Sequence, residues 1–343
     1  MELEQRTLRI GTVVIVCAIL LRLLSGGILS PVLRAVSSSQ VSSFLLYLGT
    51  GRVIRPAQPQ TPPPATEPPT PTVETEPTIA PTEAPTEAPI TLPVFAPEDA
   101  ALIRVNNFCG YSADIPTLLQ QPLSWDLTDQ APAVLIVHTH GSESYTKTES
   151  YTETSGYRTL DTRYNVVSIG DRIAEILEAG GIRVIHDRTL HDYPSYNGSY
   201  DNSRAAIAEY LKQYPSIRMV LDIHRDAMAD STGKQIGTTV PVGSQSAAQL
   251  MMVVGTDAGG LKHPGWQTNM ALAVKLHAQL EKQTPGICRP ISFRSQRFNQ
   301  DLSAGGMLIE IGAAGNTRQE ALTAAELLAQ GILTLARGTG EVI

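Results

Sequence analysis

A chain of 343 residues carrying a net charge of −7, with 26 Lys and Arg against 33 Asp and Glu and no basic block, is a poor match for nucleic acid as a partner. Its three cysteines, Cys17, Cys109 and Cys288, lie far apart and form no CxxC pair. A zinc finger is therefore excluded and a disulfide framework is not expected, although Cys109 and Cys288 remain open to pairing outside the cell.

Residues 1–9 read as a short N-terminal tail. From Ile10 the string IGTVVIVCAILLRLLSGGILSPVL is apolar apart from Arg22. It reaches the roughly 20 residues that a membrane-spanning helix needs, with Arg22 snorkelling toward an end. The apolar character continues past Leu24 without a small-x-small cleavage site, so the expectation is an uncleaved anchor over 10–33. Arg6 and Arg9 precede it, and Arg34, Arg52 and Arg55 follow it, so basic residues alone do not orient it. A juxtamembrane segment, 34–55, comes next. Residues 56–98 hold more than half of the 24 prolines, many Thr and Glu, and no Lys or Arg. Such a segment builds no core and reads as an extended, partly polyproline II spacer with a reach on the order of 100 Å.

From about Phe95 onward the pattern alternates, and 99–343 is the expected folded domain. AVLIV (133–137) predicts a buried strand. The amphipathic string at 165–181 predicts a helix stopped by Gly, and IRVIHD (182–187) a second strand. A helix follows at about 202–213 behind an Asn cap, then the strand 217–224. Further strands are expected at 249–255 and 307–312, with helices at about 268–282 and 317–336. Strands alternating with helices imply an α/β fold, a single doubly wound domain whose mainly parallel central sheet is flanked by helices.

In open sheets of this kind, ligands bind at the carboxyl ends of strands. Three of the predicted strands end in chemistry-bearing residues: HTHGSE, DIHRD and IEIGAAGN. His186 and Asp187 end a fourth and are less easily placed. Catalytic zinc needs three protein ligands and an open position, with a carboxylate nearby to take the proton of the attacking water. His140 and Glu143, in H-x-x-E spacing, can share one ion, and His224 can supply a third ligand from a neighbouring strand end. Glu310, inside an otherwise apolar strand, is then the general base and acid. Blander roles compete for each residue. His138 suits a core histidine bonded to backbone, Asp222 and Arg225 a buried ion pair, and Glu310 a salt bridge to Arg225 or Arg294. Taken together, the residues point to a metal-dependent hydrolase.

The strings VLIVHTHGSESY, VLDIHRDA, HPGWQTN, RFNQDL and MLIEIGAAGNT, with the long stretch from LDTRYN to YNGSY, resemble the stage II sporulation protein P family across about 100–335. The last string is also similar to the broader family of zinc-dependent N-acetylmuramoyl-L-alanine amidases. The resemblance implies a membrane-anchored peptidoglycan hydrolase that cuts between the lactyl group of muramic acid and L-alanine, with endopeptidase activity on stem-peptide crosslinks. It implies a setting in forespore engulfment, alongside stage II sporulation protein D, a lytic transglycosylase, and the scaffold stage II sporulation protein M. By position, His140 and His224 match the zinc histidines of the amidases and Glu310 their catalytic glutamate. Their carboxylate ligand stands four residues before an Asn, which here is Asp161 before Asn165. Glu143 and Asp161 therefore compete, and Glu143 is favoured because the Asp side chain is shorter by a methylene.

Arg225, His263, Arg297 and Asn299 are candidate substrate contacts, with Arg294 and Trp266 beside them; Arg suits bidentate recognition of a stem-peptide carboxylate. Structural salt bridges, and a Trp stapling the helix that follows it, are the competing readings. Peptidoglycan lies outside the cytoplasmic membrane, so the domain is expected to be extracytoplasmic on a single-pass anchor. Two rival functions stay open: another amide specificity on the same metal, and a non-catalytic peptidoglycan-binding scaffold.

Overall fold

The computed structural model describes residues 95–122, 127 and 131–337. The predicted tail, anchor and juxtamembrane segment, and nearly all of the spacer, lie outside the described residues. Among the described residues no helix is long and apolar enough to cross a membrane.

A 3-10 helix at Pro97–Leu102 opens the fold, followed by β1 (Val105–Asn107) and the short α1 (Ile115–Gln120). Then come β2 (Val134–Val137), α2 (Val166–Ala179), β3 (Val184–His186), α3 (Ser199–Gln213) and β4 (Met219–Asp226). A hairpin of β5 (Thr239–Val242) and β6 (Gln245–Ala248) precedes β7 (Leu250–Val254), α4 (Trp266–Gln283), β8 (Ile291–Phe293), β9 (Gly306–Ala313) and α5 (Arg318–Ala336). Helix starts follow local chemistry. The Asn165 side chain accepts the Val167 amide to cap α2, and Thr317 with Glu320 forms a reciprocal capping box at α5. The start of α3 differs from the predicted Asn cap: Gly198, left-handed at φ 92°, turns the chain four residues before Asn202.

Seven strands form one sheet in the order β1-β8-β7-β9-β4-β2-β3. All neighbours are parallel except β7 and β9, which pair antiparallel. The sheet is thus mainly parallel, but it is built from two parallel blocks of opposite sense. β7 therefore starts, rather than ends, at the rim where β4 and β9 finish, and its Met251 stands opposite Glu310.

Side chains on a strand alternate between faces, and this alternation divides the core. Val134 and Ile136 of β2, Leu221 and Ile223 of β4, and Ile309 and Ile311 of β9 join the large cluster packed under α2, α4 and α5. Leu135 and Val137, with Val220 of β4, face the other way onto Ile207 of α3. By the same period, His224 and Glu310 turn away from the large core and toward the α3 side.

Candidate metal centre

Beyond β2 the chain makes a tight turn in which the Glu143 amide donates to the His140 carbonyl at 3.0 Å. Gly141 lies against Leu190, where a Cβ would meet its Cδ2 at 2.8 Å. The turn sets His140 and Glu143 side by side. β4 delivers His224 to the same place, with the imidazole rings of His140 and His224 5.3 Å apart and nearly perpendicular, at 86°. Glu143 Oε2 stands 3.5 Å from His224 Nδ1. Glu310 of β9 is the register partner of His224. Together they line a cleft of about 270 Å³ that also meets Tyr200, Arg294 and Phe298.

Beyond His224 and Glu310 the ladder slips, so that Asp226 pairs with Ala313. Gly312 accommodates the irregularity at φ 67°, where a Cβ would come within 2.8 Å of both Ala248 Cβ and Asn316 Oδ1. Asn316 Oδ1 in turn accepts the Ala313 amide at 2.9 Å. In the IEIGAAGN motif, Gly312 and Asn316 thus hold the bend, and Glu310 is left for chemistry. At the same slip the Arg225 amide donates to Glu143 Oε2 at 3.2 Å.

Burial alone would suppress charge on Glu143, but His224, Arg225 and His140 outweigh it and hold the carboxyl down at about 2. His224 is likewise buried, yet the carboxylates of Asp222 and Glu143 raise its pKa well above that of a free imidazole. Burial pushes Glu310 the other way, to about 8, with Glu143 and Asp226 adding to the rise. Two carboxyls in one cleft, one held ionised and one held protonated, are the arrangement that acid–base chemistry needs.

The donor set fits a divalent cation of the zinc type. His140 Nδ1 and Glu310 Oε2 are shielded from solvent and have no hydrogen-bond partner among the described residues. His140 Nε2 is occupied by the Tyr196 hydroxyl at 3.2 Å, which leaves Nδ1 as the free ligand atom. His224 Nε2 lies 2.9 Å from Asp222 Oδ1, though off the hydrogen-bond axis, and Nδ1 faces Glu143. A carboxylate behind a ligating histidine is a recurrent way to orient the ring.

Not all of the other predicted residues line the cleft. Asp161 sits at the surface, paired with Arg163 at 2.6 Å, and does not line the cleft. Arg225 lines the cleft, and it also braces the turn from within. Its guanidinium is buried and donates to the Ser144 and Tyr157 carbonyls at 3.0 and 2.9 Å and toward Glu143 at 3.4 Å. It does not pair with Asp222, which instead accepts from the Thr139 amide and hydroxyl at 2.8 and 2.6 Å. His263 is 1% exposed and is not among the residues lining the cleft. Trp266 packs on Phe293 and Tyr111, with centroids 5.2 and 5.8 Å away, and staples the start of α4. His138 gives Nδ1 to the Ile223 carbonyl at 3.0 Å and meets His186 Nε2 at 2.8 Å, as a core histidine does. Arg297 and Asn299 line a neighbouring groove of about 340 Å³ that shares Tyr200 and Phe298 with the cleft. Cys109 and Cys288 are both free thiols.

A family-level comparison matches residues 70–333, about three-quarters of the chain, to Stage II sporulation protein P (SpoIIP). The chain belongs to this family. A curated Stage II sporulation protein P from Bacillus subtilis (strain 168) is 29% identical over 215 residues, covering 59% of this chain and 50% of that protein. The match thus spans half the length of that curated relative. Among solved structures, the N-acetylmuramoyl-L-alanine amidase AmiC2 of Nostoc punctiforme aligns with TM-score 0.37 and 17% identity over 60% of this chain and 97% of that one. The N-acetylmuramoyl-L-alanine amidase of Clostridium difficile 630 aligns with TM-score 0.36 and 17% identity over 62% and 100%.

In this stage II sporulation protein P family member, the loops add residues that strand patterning does not reveal. Tyr196 stacks on His140, with centroids 4.5 Å apart at 11°, and Arg158 lies over the Tyr196 ring at 5.0 Å. Arg158 also reaches Asp192 at 2.8 Å and Glu143 at 3.3 Å. The pair of tyrosines in SYNGSY, four apart, is the one hint the sequence offers; Arg158 has none.

Proposed function

We propose that the chain is a metal-dependent peptidoglycan hydrolase that cleaves the N-acetylmuramoyl-L-alanine amide bond, with endopeptidase activity on stem-peptide crosslinks. The observation that carries this reading is the meeting of His140, Glu143, His224 and Glu310 in one cleft, with ligand and base atoms left unpartnered. His140, Glu143 and His224 would hold the ion, which would polarise the scissile carbonyl and acidify the attacking water. Arg225 and Arg158 fix the Glu143 carboxylate, while Asp222 and Tyr196 orient the two imidazoles. Glu310 takes the proton of the attacking water at Oε2 and passes it to the departing amine. Burial raises the proton affinity of Glu310, and a bound cation would shift it toward the ionised form that accepts a proton. Arg294, which lines the cleft, and Arg297 with Asn299, which line the adjoining groove, would meet the carboxylates of a stem peptide.

The anchor over 10–33 and the spacer over 56–98 would tether this domain outside the cytoplasmic membrane and let it search nearby wall at high effective concentration. In that setting, stage II sporulation proteins D and M are the partners that the family resemblance suggests.

Digestion of purified peptidoglycan by the full chain, followed by mass spectrometry of the products, tests the reading. New lactyl carboxyls paired with free L-alanine amines are expected, and they should disappear with His224→Ala. New peptide termini alone would make the protein an endopeptidase only. Binding to the wall with no new termini would make it a scaffold.

A further inference from the structure

A second cluster of ligand-type side chains lies away from the cleft. His277 and Glu281 stand one helical turn apart on α4, so they share a face, and Cys288 enters from the loop between α4 and β8. One ring nitrogen, one carboxylate oxygen and the thiol sulfur lie within 4.8 Å of one another. None of the three lines the cleft. Cys288 belongs to the large core under the helices, on the sheet face opposite His224.

His277 calls for a ligand. It is fully buried, and neither ring nitrogen makes a well-aligned hydrogen bond among the described residues, with only the Leu102 main chain near enough to offer one. A neutral imidazole carries one donor and one acceptor, and leaving a buried polar group unpaired costs about 1–3 kcal/mol. Native interiors rarely tolerate this without a bound water or ion. Of the other polar groups near the imidazole, the Arg104 guanidinium is engaged with the Cys288 carbonyl at 2.8 Å.

Glu281 is held in place as a ligand would be. Its oxygens accept the Gly286 amide at 2.9 Å and the Cys288 amide at 2.7 Å, which folds the loop back so that the sulfur meets the imidazole. Each carboxylate oxygen keeps a further lone pair. An imidazole, a carboxylate and a thiol together suit a borderline-soft cation, while magnesium and calcium prefer oxygen alone.

We propose that His277, Glu281 and Cys288 form a second metal site, structural in role, for a thiophilic divalent cation of the zinc class. Binding exchanges the Cys288 S–H proton for an S–metal bond and releases that proton to solvent. The ion clamps the end of α4 to the strand-leading loop. The site is independent of the hydrolase reading, since it shares no residue with the cleft.

Titrating the metal-free full chain with Co²⁺ and recording near-ultraviolet absorption tests this directly. A thiolate ligand gives an intense charge-transfer band, which the thiol-free cleft cannot produce. The band is expected in the wild type and in the His140→Ala and Cys109→Ser variants, and it should vanish with Cys288→Ser, together with one bound ion per chain. A wild-type chain that binds Co²⁺ without a thiolate band, or a band that survives Cys288→Ser, overturns the proposal. If Cys288→Ser fails to fold, the Cys17→Ser/Cys109→Ser chain decides: its one thiol is Cys288, and absence of the band there is equally fatal.

Discussion

Glu310 stands directly across the β4–β9 ladder from His224, one strand apart on the face turned away from the helices that build the main core. Parallel pairing with side chains alternating every residue is what makes this meeting obligatory. A shift of one residue in either strand would send one of the two into the apolar layer. The proposed general base and proposed metal ligand are thus locked to each other by backbone register, independent of any loop.

Replacing Glu310 with Gln keeps the shape and removes the base. Hydrolysis should fall by about 10²–10⁴-fold, the range for loss of a positioned general base, while bound metal stays at the wild-type level. Rates on soluble peptidoglycan fragments alongside elemental analysis check both halves. A parallel loss of metal would make Glu310 a ligand instead.

The competition between Glu143 and Asp161 is decided by metal retention. Glu143 lies against His224 Nδ1, whereas Asp161 is paired with Arg163 at the surface. Glu143→Gln should strip the ion on dialysis, and Asp161→Asn should retain it. Asp222→Asn should weaken metal affinity by roughly 10–100-fold, as expected for a group behind a ligating histidine.

Gly170 of α2 presses on the paired imidazoles of His138 and His186, and a Cβ there would lie 2.7 Å from the Nε2 of each. The rings are tied to each other and to the Ile223 carbonyl, so they have little room to yield. Gly170→Ala should destabilise the fold by about 1–3 kcal/mol through overpacking, despite the better helix propensity of Ala. Denaturant unfolding of the two proteins measures it.

Lys275 is fully buried in α4, its ammonium donating to the Leu119 carbonyl. Burial lowers its pKa from the usual 10.5 to about 8. Above both values the residue is neutral whether folded or unfolded, and its penalty is absent. As pH falls from 10.5 toward 8 the unfolded chain takes up the proton first, so stability is lost across that window and stays lost below it. At about 1.4 kcal/mol per pKa unit the penalty is about 3 kcal/mol. The difference in unfolding free energy between Lys275→Met and wild type should therefore grow from pH 10.5 to pH 8 and level off below. A difference that is constant across this range would contradict it.

The elements that carry the cleft were legible in the sequence for one reason. β2, β4 and β9 are buried on both faces, so they appear as continuous apolar runs, and a His or Glu interrupting such a run stands out. Direction is another matter. The apolar string of β7 reads the same whichever way it runs, and nothing local declares that it lies antiparallel to β9. β1 and β8 are three residues each, too short for a pattern, and the β5–β6 hairpin is half exposed with a Pro in it. The offset of Asp161 from Asn165 suits a ligand, but spacing does not tell that the neighbouring Arg163 pairs with its side chain. The burial of Arg225 and His263 is not legible either, because charge and imidazole are usually exposed; here main-chain carbonyls hold the Arg225 guanidinium.

Anomalous diffraction at the zinc absorption edge, on crystals of the metal-loaded protein, tests the central claim most directly. A peak bounded by His140, Glu143 and His224, within reach of Glu310, is expected. A metal-loaded protein with no peak in that cleft would contradict it.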